Sequence, residues 1–181
     1  MSPALFRKVV RWIGMLVLAH IVGWIIYNML FADTVASLIA DGDRAAIRIM
    51  VVYNIIYDAL FVAFCLKFNL SYDDKNLGKE IKEDVRSNSF SVIGYFKTQM
   101  LREHLFKLGV FALFQIPHVI LLSVFRLSLP FYAMDVGCYM VVGYSPFGWL
   151  LNTLMFAVIF TLVVLLYLLI VKKDVQKNMM I

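Results

Sequence analysis

An apolar stretch of helix length, residues 49–66, contains Asn54 and Asp58 and constrains this chain more than any other feature. Roughly 18 or more mostly apolar residues in a row can cross the ~30 Å hydrocarbon core of a bilayer as an α-helix. A carboxylate inside such a helix costs about 2.5–3.5 kcal/mol, so it needs a partner, a bound proton or water. The stretch therefore predicts a membrane span that carries a polar group inside the membrane.

The composition of the whole chain agrees with a membrane environment. Of its 181 residues 62% are hydrophobic and 16% are charged, whereas soluble domains are about 25% charged. The formal net charge of +5 does not indicate a nucleic-acid partner, because the basic residues lie at the ends of the apolar blocks. We expect the lipid bilayer to be a partner, together with another membrane protein or a second copy of the chain.

Four apolar blocks predict four transmembrane helices in one membrane domain, 1–181. The fold class is an all-α integral membrane protein, with spans at about 12–31, 47–68, 105–125 and 147–171 and external loops at 32–46 and 126–146.

Two blocks of the sequence allow a different interpretation. The first block resembles a secretory signal with a weak cleavage-like site at Thr34-Val35-Ala36, but it is longer than the usual ~7–15 apolar residues. We therefore interpret it as an uncleaved span. The segment 126–146 is broken by prolines and glycines, and we interpret it as a re-entrant or surface hairpin.

The distribution of lysine and arginine predicts the orientation. All but three of the 17 basic residues lie in the N-terminal tail, in or next to the central segment 69–104, or in the C-terminal tail; the exceptions are Arg44, Arg48 and Arg126. By the positive-inside rule both termini and the segment 69–104 are cytoplasmic. We expect the cell (plasma) membrane as the location.

The cytoplasmic segment carries apolar residues at helical spacing. Leu77, Ile81 and Val85 are four residues apart, which predicts an interfacial amphipathic helical segment before the third span. Its basic side chains are candidates for contact with lipid headgroups or with a partner: Lys79, Lys82, Arg86 and Lys97. Interleaved acidic residues weaken that attraction, and the same residues serve equally as an orientation signal.

Polar residues deep in the predicted spans are the candidate site. At 1.5 Å per residue, His20 and Asp58 lie about 12 and 13 Å from the cytoplasmic ends of their spans and could meet. A second layer nearer mid-membrane contains Asn54, Gln115 and His118. Two interpretations stay open: a polar pocket or relay for protons or ions, or side chains that only link helices by hydrogen bonds.

Other kinds of site find less support in the sequence. No close-spaced pair of metal ligands occurs, so we expect no metal, and no glycine-rich phosphate loop or nucleophile motif indicates a cofactor or a catalytic residue. His104, between Glu103 and the third predicted span, is interpreted as a solvated interface residue.

The sequence favours one class of function and leaves two others open. Small size, the lack of a soluble domain and the lack of catalytic motifs favour a non-enzymatic accessory or interaction subunit of a membrane complex. The alternative is a small transporter or channel whose path uses Asp58 with His20 and His118. A membrane-embedded enzyme is the third hypothesis, because the same groups are able to act as general acids and bases.

Overall fold

The computed structural model describes residues 3–68, 90–123 and 146–179, and these residues form helices and connecting turns without a strand. The elements in chain order are α1 (Pro3–Leu30), α2 (Ala32–Ala40), α3 (Ala45–Lys67), α4 (Val92–Tyr95), a π-helical turn (Phe96–Met100), α5 (Leu101–Ser123) and α6 (Pro146–Met179).

Among the described residues three helices are long and apolar enough to cross a membrane. They comprise Leu5–Leu30 of α1, Ala45–Lys67 of α3 and Pro146–Asn178 of α6. The third predicted span falls in α5, which is 23 residues long and contains Pro117. Residues 126–145 of the loop predicted at 126–146 lie outside the described residues.

The helix pairs α1–α3 and α5–α6 each run antiparallel, as the order of their contacts shows. On α1 and α3, Gly23 is bonded to Tyr53, whereas Trp12 packs on Phe61. On α5 and α6 the order is also reversed, because position 104 contacts position 161 whereas position 112 contacts position 149. The two antiparallel pairs form one bundle, in which α3 also packs along α6 and α1 along α5.

Aromatic side chains fill one end of the bundle. Trp12 is 3% exposed and its ring lies 6.0 Å from that of Phe61 and 6.2 Å from that of Phe160. The indole Nε1 of Trp12 donates a hydrogen bond of 3.1 Å to the backbone oxygen of Lys107. Burial of large aromatic rings with satisfied polar atoms is strongly stabilising, so Trp12 ties α1 to α3, α5 and α6.

The short connection after α1 is partly helical rather than only a polar loop. α2 forms because Val35 packs against Ala46 and Met50, so an apolar side of the connection is buried. α2 ends where Gly42 adopts a positive φ of 69°. There the backbone N–H of Gly42 bonds the oxygen of Ile39 and the N–H of Asp43 that of Leu38, the pattern of a Schellman cap, for which glycine is the usual residue.

The residues just before the third predicted span, where the sequence predicts an interfacial amphipathic helical segment, are helical. Ser91 caps α4 by accepting a hydrogen bond of 3.2 Å from the Gly94 N–H. Helical backbone angles then continue through Phe96 and Leu101, so the segment from Val92 joins α5 without a break. Tyr95, Phe96 and Met100 of this segment are buried in the core, whereas Ile93 is 61% exposed. Residues 69–89 lie outside the described ranges.

The distribution of polarity is inverted relative to a soluble protein. Large aliphatic side chains are about half exposed on every long helix, whereas several polar side chains are fully buried. Exposed apolar surface of this extent is typical of a membrane-facing protein. Examples of exposed residues are Leu18, Leu60, Leu113 and Leu162, and the buried polar set includes His20, Asn54, Asp58, Gln115 and Asn152.

Candidate functional site

The buried face of α3 carries the two polar residues that the sequence singles out. Asn54 is 0% exposed and Asp58 is 2% exposed. They are four residues apart, so they occupy adjacent turns of one helix face. That face is continued by Met50 and Val62, which are also buried. A carboxyl group and a primary amide are therefore enclosed in a wall that is otherwise apolar.

The side-chain amide of Asn54 lacks hydrogen bonds within the described part of the chain. Neither its Nδ2 nor its Oδ1 atom has a partner there. A primary amide offers two donors and an acceptor with two lone pairs, and leaving such a group unsatisfied costs about 1–3 kcal/mol when it is buried. An amide of this kind is suited to contact a polar ligand.

His20 of α1 is also fully buried, next to α5. Its Nδ1 atom lies 2.7 Å from the backbone oxygen of Leu16, and its ring meets Phe114 edge-on at 5.2 Å between centroids. A carbonyl oxygen only accepts hydrogen bonds, so Nδ1 carries the hydrogen in this contact. The predicted meeting of His20 with Asp58 stays a prediction.

Gln115 joins a polar residue that sequence reasoning missed. The Nδ2 atom of Asn152 on α6 donates a hydrogen bond of 3.0 Å to Oε1 of Gln115 on α5. Both residues are at most 1% exposed. The signal available in the sequence was a lone asparagine near the start of the fourth apolar block, opposite no recognisable partner. His118 follows Gln115 by almost one turn, and its side chain lies outside the described residues.

Two tyrosines fix α3 against α1 beside the polar residues. Tyr53 donates its hydroxyl hydrogen to the backbone oxygen of Gly23, and Tyr57 does so to that of Ala19 at 2.6 Å. The ring of Tyr57 lies so close to Gly23 that a Cβ atom there would be 3.0 Å from it. The absence of a side chain at Gly23 therefore makes room for the Tyr57 ring.

His104 is buried, so its interpretation as a solvated interface residue is wrong. It is 2% exposed, stacks on Phe160 at 4.2 Å between centroids, and contacts Thr161 Oγ1 through Nε2 at 3.0 Å. The Thr161 hydroxyl donates to the oxygen of Ala157, so the His104 Nε2 atom is the donor to Thr161. His104 is buried because the helix that continues from Val92 packs against α6 at this position.

A partly buried ion pair joins Glu103 and Lys107, the residues on either side of His104 along α5. Lys107 is 5% exposed, and its Nζ atom contacts Oε1 of Glu103 at 3.1 Å. Burial, and secondarily the positive charge of Lys107, lower the pKa of His104 to about 4. This charged set lies at the level of Trp12, whose ring is 5.8 Å from Lys107 Nζ. No pattern in the sequence predicts the burial of Lys107.

The predicted basic surface falls mostly outside the described residues. Lys79, Lys82 and Arg86 lie in the segment 69–89, whereas Lys97 is exposed on the π-helical turn. Within the described ranges no three His, Cys, Asp or Glu side chains come together as metal ligands. Contact of these lysines with headgroups or a partner stays a prediction.

Comparison of the chain with models of protein families, with curated proteins and with solved structures finds no match.

Proposed function

We propose that this protein is a small transporter or channel of the cell membrane, which binds a proton or a small monovalent cation at an interior site formed around Asn54 and Asp58. The observation that carries the proposal is the Asn54 amide, which is fully buried and has no hydrogen-bond partner within the described ranges. It lies one turn from a buried carboxyl group. Carboxylate and amide oxygens are the ligands that hard cations prefer.

The proposal includes a four-span topology with both termini cytoplasmic. The proposed spans, at about 12–31, 47–68, 105–125 and 147–171, correspond to α1, α3, α5 and α6. Contacts at one end of the bundle support this arrangement: Trp12 near the start of α1 meets Lys107 near the start of α5. Lys172 near the end of α6 bonds the backbone oxygen of Phe90, before α4, at 3.4 Å. The basic N-terminal, central and C-terminal segments would then share one side, as the positive-inside rule requires.

Polar side chains on neighbouring helices would complete the site. His20 on α1 and Gln115 on α5 are both fully buried. The imidazole of His20 offers a ring nitrogen as a hydrogen-bond donor or acceptor, and the amides orient a hydrated ion or a water. Intramembrane ionisable residues on the inner side of a bundle mark ion and proton pathways in membrane proteins.

A flux assay tests this function. The full chain is reconstituted into liposomes that contain a pH-sensitive dye, and a K⁺ diffusion potential is imposed with valinomycin. We expect proton flux above that of empty liposomes, and loss of at least about tenfold of it in Asp58→Asn. Asp33→Asn, an exposed aspartate at the start of α2, is the matched control and should retain the flux. If proton flux is absent, vesicles prepared without valinomycin and loaded with Na⁺ or K⁺ dyes test cation flux, and absence of all three fluxes would overturn the proposal.

The second candidate is a non-enzymatic accessory subunit of a membrane complex. A ridge of exposed aliphatic side chains along α6 favours it, because residues four apart form the ridges by which helices pack. The ridge consists of Leu150, Leu154, Val158, Leu162, Leu166 and Ile170. A gentle-detergent pull-down of the tagged protein from native membranes distinguishes the two. A stoichiometric membrane partner, lost in Val158→Lys and retained in Asp58→Asn, would support the accessory subunit.

A further inference from the structure

A long groove between α1 and α3 opens on the outer side of the bundle, and neither Asn54 nor Asp58 lines it. Its volume is about 810 Å³, within the roughly 300–1,000 Å³ of small-molecule sites. Aliphatic side chains that are 41–63% exposed form its walls, among them Leu18, Val22, Val52, Ile56 and Leu60. We infer that this groove binds a phospholipid, with an acyl chain between α1 and α3 and the phosphate at Arg48.

The floor of the groove is apolar because its polar atoms are already engaged. Tyr53 and Tyr57 line it, and their hydroxyl groups donate hydrogen bonds to backbone oxygens of α1. The rings are held by these bonds and present carbon surface to the groove. A hydrocarbon chain is complementary to such a floor, whereas a polar solute would lose its hydration without compensation.

One end of the groove carries a positive charge at the level of the membrane boundary. Arg48 lines the groove and lies in the first turn of α3, which begins at Ala45. Among the described residues no carboxylate forms an ion pair with it. Arginine binds phosphate through several N–H groups of its planar guanidinium, and it extends its head toward the headgroup region from a helix end.

The length of the groove suits one leaflet. From Arg48 to Leu60 along α3 the distance is about 18 Å at 1.5 Å per residue. Half of the ~30 Å hydrocarbon core is about 15 Å. An acyl chain whose phosphate lies at Arg48 therefore reaches the far end of the groove.

The groove fits a flexible chain better than a partner helix. Transmembrane helices approach each other closely at small residues, but Gly23 is covered by the Tyr57 ring. The exposed walls consist of branched aliphatic side chains instead. A flexible lipid chain is able to follow such walls.

Photochemical capture of lipid tests this inference on the full-length protein. The protein is placed in nanodiscs that contain phosphatidylglycerol with a diazirine in one acyl chain, and the crosslinked residues are mapped by mass spectrometry. We expect crosslinks concentrated several-fold on Val52 and Ile56 relative to Val158 and Leu162 on the exposed face of α6. Equal labelling of the two faces would overturn the inference, as would labelling of Val52 and Ile56 weaker than that of Val158 and Leu162, the result expected if protein fills the groove.

Two pairs of variants separate groove binding from general lipid contact. Arg48→Gln should lower capture in the groove about fivefold, the effect of one basic residue at a membrane surface, whereas Arg44→Gln, an exposed arginine that does not line the groove, should leave it unchanged. Val52→Trp should block the groove, and Val158→Trp should not. Unchanged capture in Arg48→Gln would overturn the assignment of the phosphate. Lipid capture is measured without ion flux, so failure of this inference and failure of the proposed transport function are distinguishable.

Discussion

The side chains of Asn152 and Gln115 form a hydrogen bond of 3.0 Å between α6 and α5, with both residues buried. The bond connects two helices at a place where neither water nor lipid is able to replace it. In membrane bundles a link of this kind contributes about 0.6 kcal/mol on average and up to about 1.7 kcal/mol. Asn152, Gln115 and Asn54 are all buried polar residues of the bundle. The hydrogen bond either supports the proposed ion site or only joins the two helices.

A double-mutant cycle measures the strength of this link. Gln115→Leu and Asn152→Leu should each lower the stability of the folded protein in detergent, and the double variant should be destabilised by less than the sum of the two. We expect a coupling of about 0.5–1.5 kcal/mol. Additive losses in thermal or denaturant unfolding would contradict an energetically important bond. Asn28→Leu, an exposed asparagine that bonds only the backbone of its own helix, is the control.

Gly23 and Gly14 should respond in opposite directions to the same substitution. Both lie in α1, but a Cβ at Gly23 meets the Tyr57 ring at 3.0 Å, whereas a Cβ at Gly14 has no atom within 4 Å in the described structure. Gly14→Ala should be neutral or stabilise by up to about 1 kcal/mol, because alanine favours the helix. Gly23→Ala should destabilise by about 1 kcal/mol or more through overpacking.

Unfolding temperatures of the two glycine variants, measured side by side in one detergent, check this contrast. A second-site change strengthens the test, because Tyr57→Leu should relieve the effect of Gly23→Ala by removing the crowded ring. Equal effects of the two glycine substitutions would show that the Tyr57 contact does not limit the packing of α1 against α3.

His104 should make the stability of the fold depend on pH. Burial and the charge of Lys107 lower the pKa of His104 from 6.5 to about 4. The unfolded chain therefore binds the proton more readily than the folded one, and stability is full above pH 6.5 and declines as the pH falls toward 4. Between pH 7.5 and pH 5 we expect Tm to fall by at least about 3 °C.

A substitution of His104 measures how much this residue contributes to the pH dependence of Tm. His104→Phe retains a ring against Phe160 and removes the titrating group, and the Thr161 hydroxyl keeps its bond to Ala157. Its Tm should vary less between pH 7.5 and pH 5 than that of the unmodified protein. The same change of Tm in both proteins would assign the effect to other groups.

Much of the helical framework could be predicted because membrane insertion acts on local sequence. Long apolar blocks at 12–31, 47–68 and 147–171 correspond to α1, α3 and α6, although α1 and α6 extend well beyond them. The extensions are polar or mixed in sequence, and that of α6 packs on a neighbour through Val175, which is 6% exposed. The sequence alone does not contain that neighbour.

Burial at the helix ends could not be predicted, because it depends on tertiary packing. His104 and Lys107 have the composition of an interface, yet both are buried. The π-helical turn at Phe96–Met100 changes which side chains face α6, and no simple sequence pattern marks such a turn. Asn152 was missed for a related reason, since only the rotation of α6 brings it opposite Gln115. The position of a residue along a helix can be predicted from the sequence. The rotation of the helix about its axis depends on the helices that pack against it.

The state of the Asp58 carboxyl group tests the central claim most directly. Difference infrared spectroscopy of the reconstituted protein, recorded between pH 4 and pH 10 and with Na⁺ or K⁺ added, follows carboxyl vibrations in place. If the interior site binds a proton or a cation, a carboxyl band should shift under one of these conditions in the unmodified protein and be absent in Asp58→Asn, while Asp33→Asn retains it. Spectra without any Asp58-dependent band under all of these conditions would contradict an ion-binding site inside the bundle.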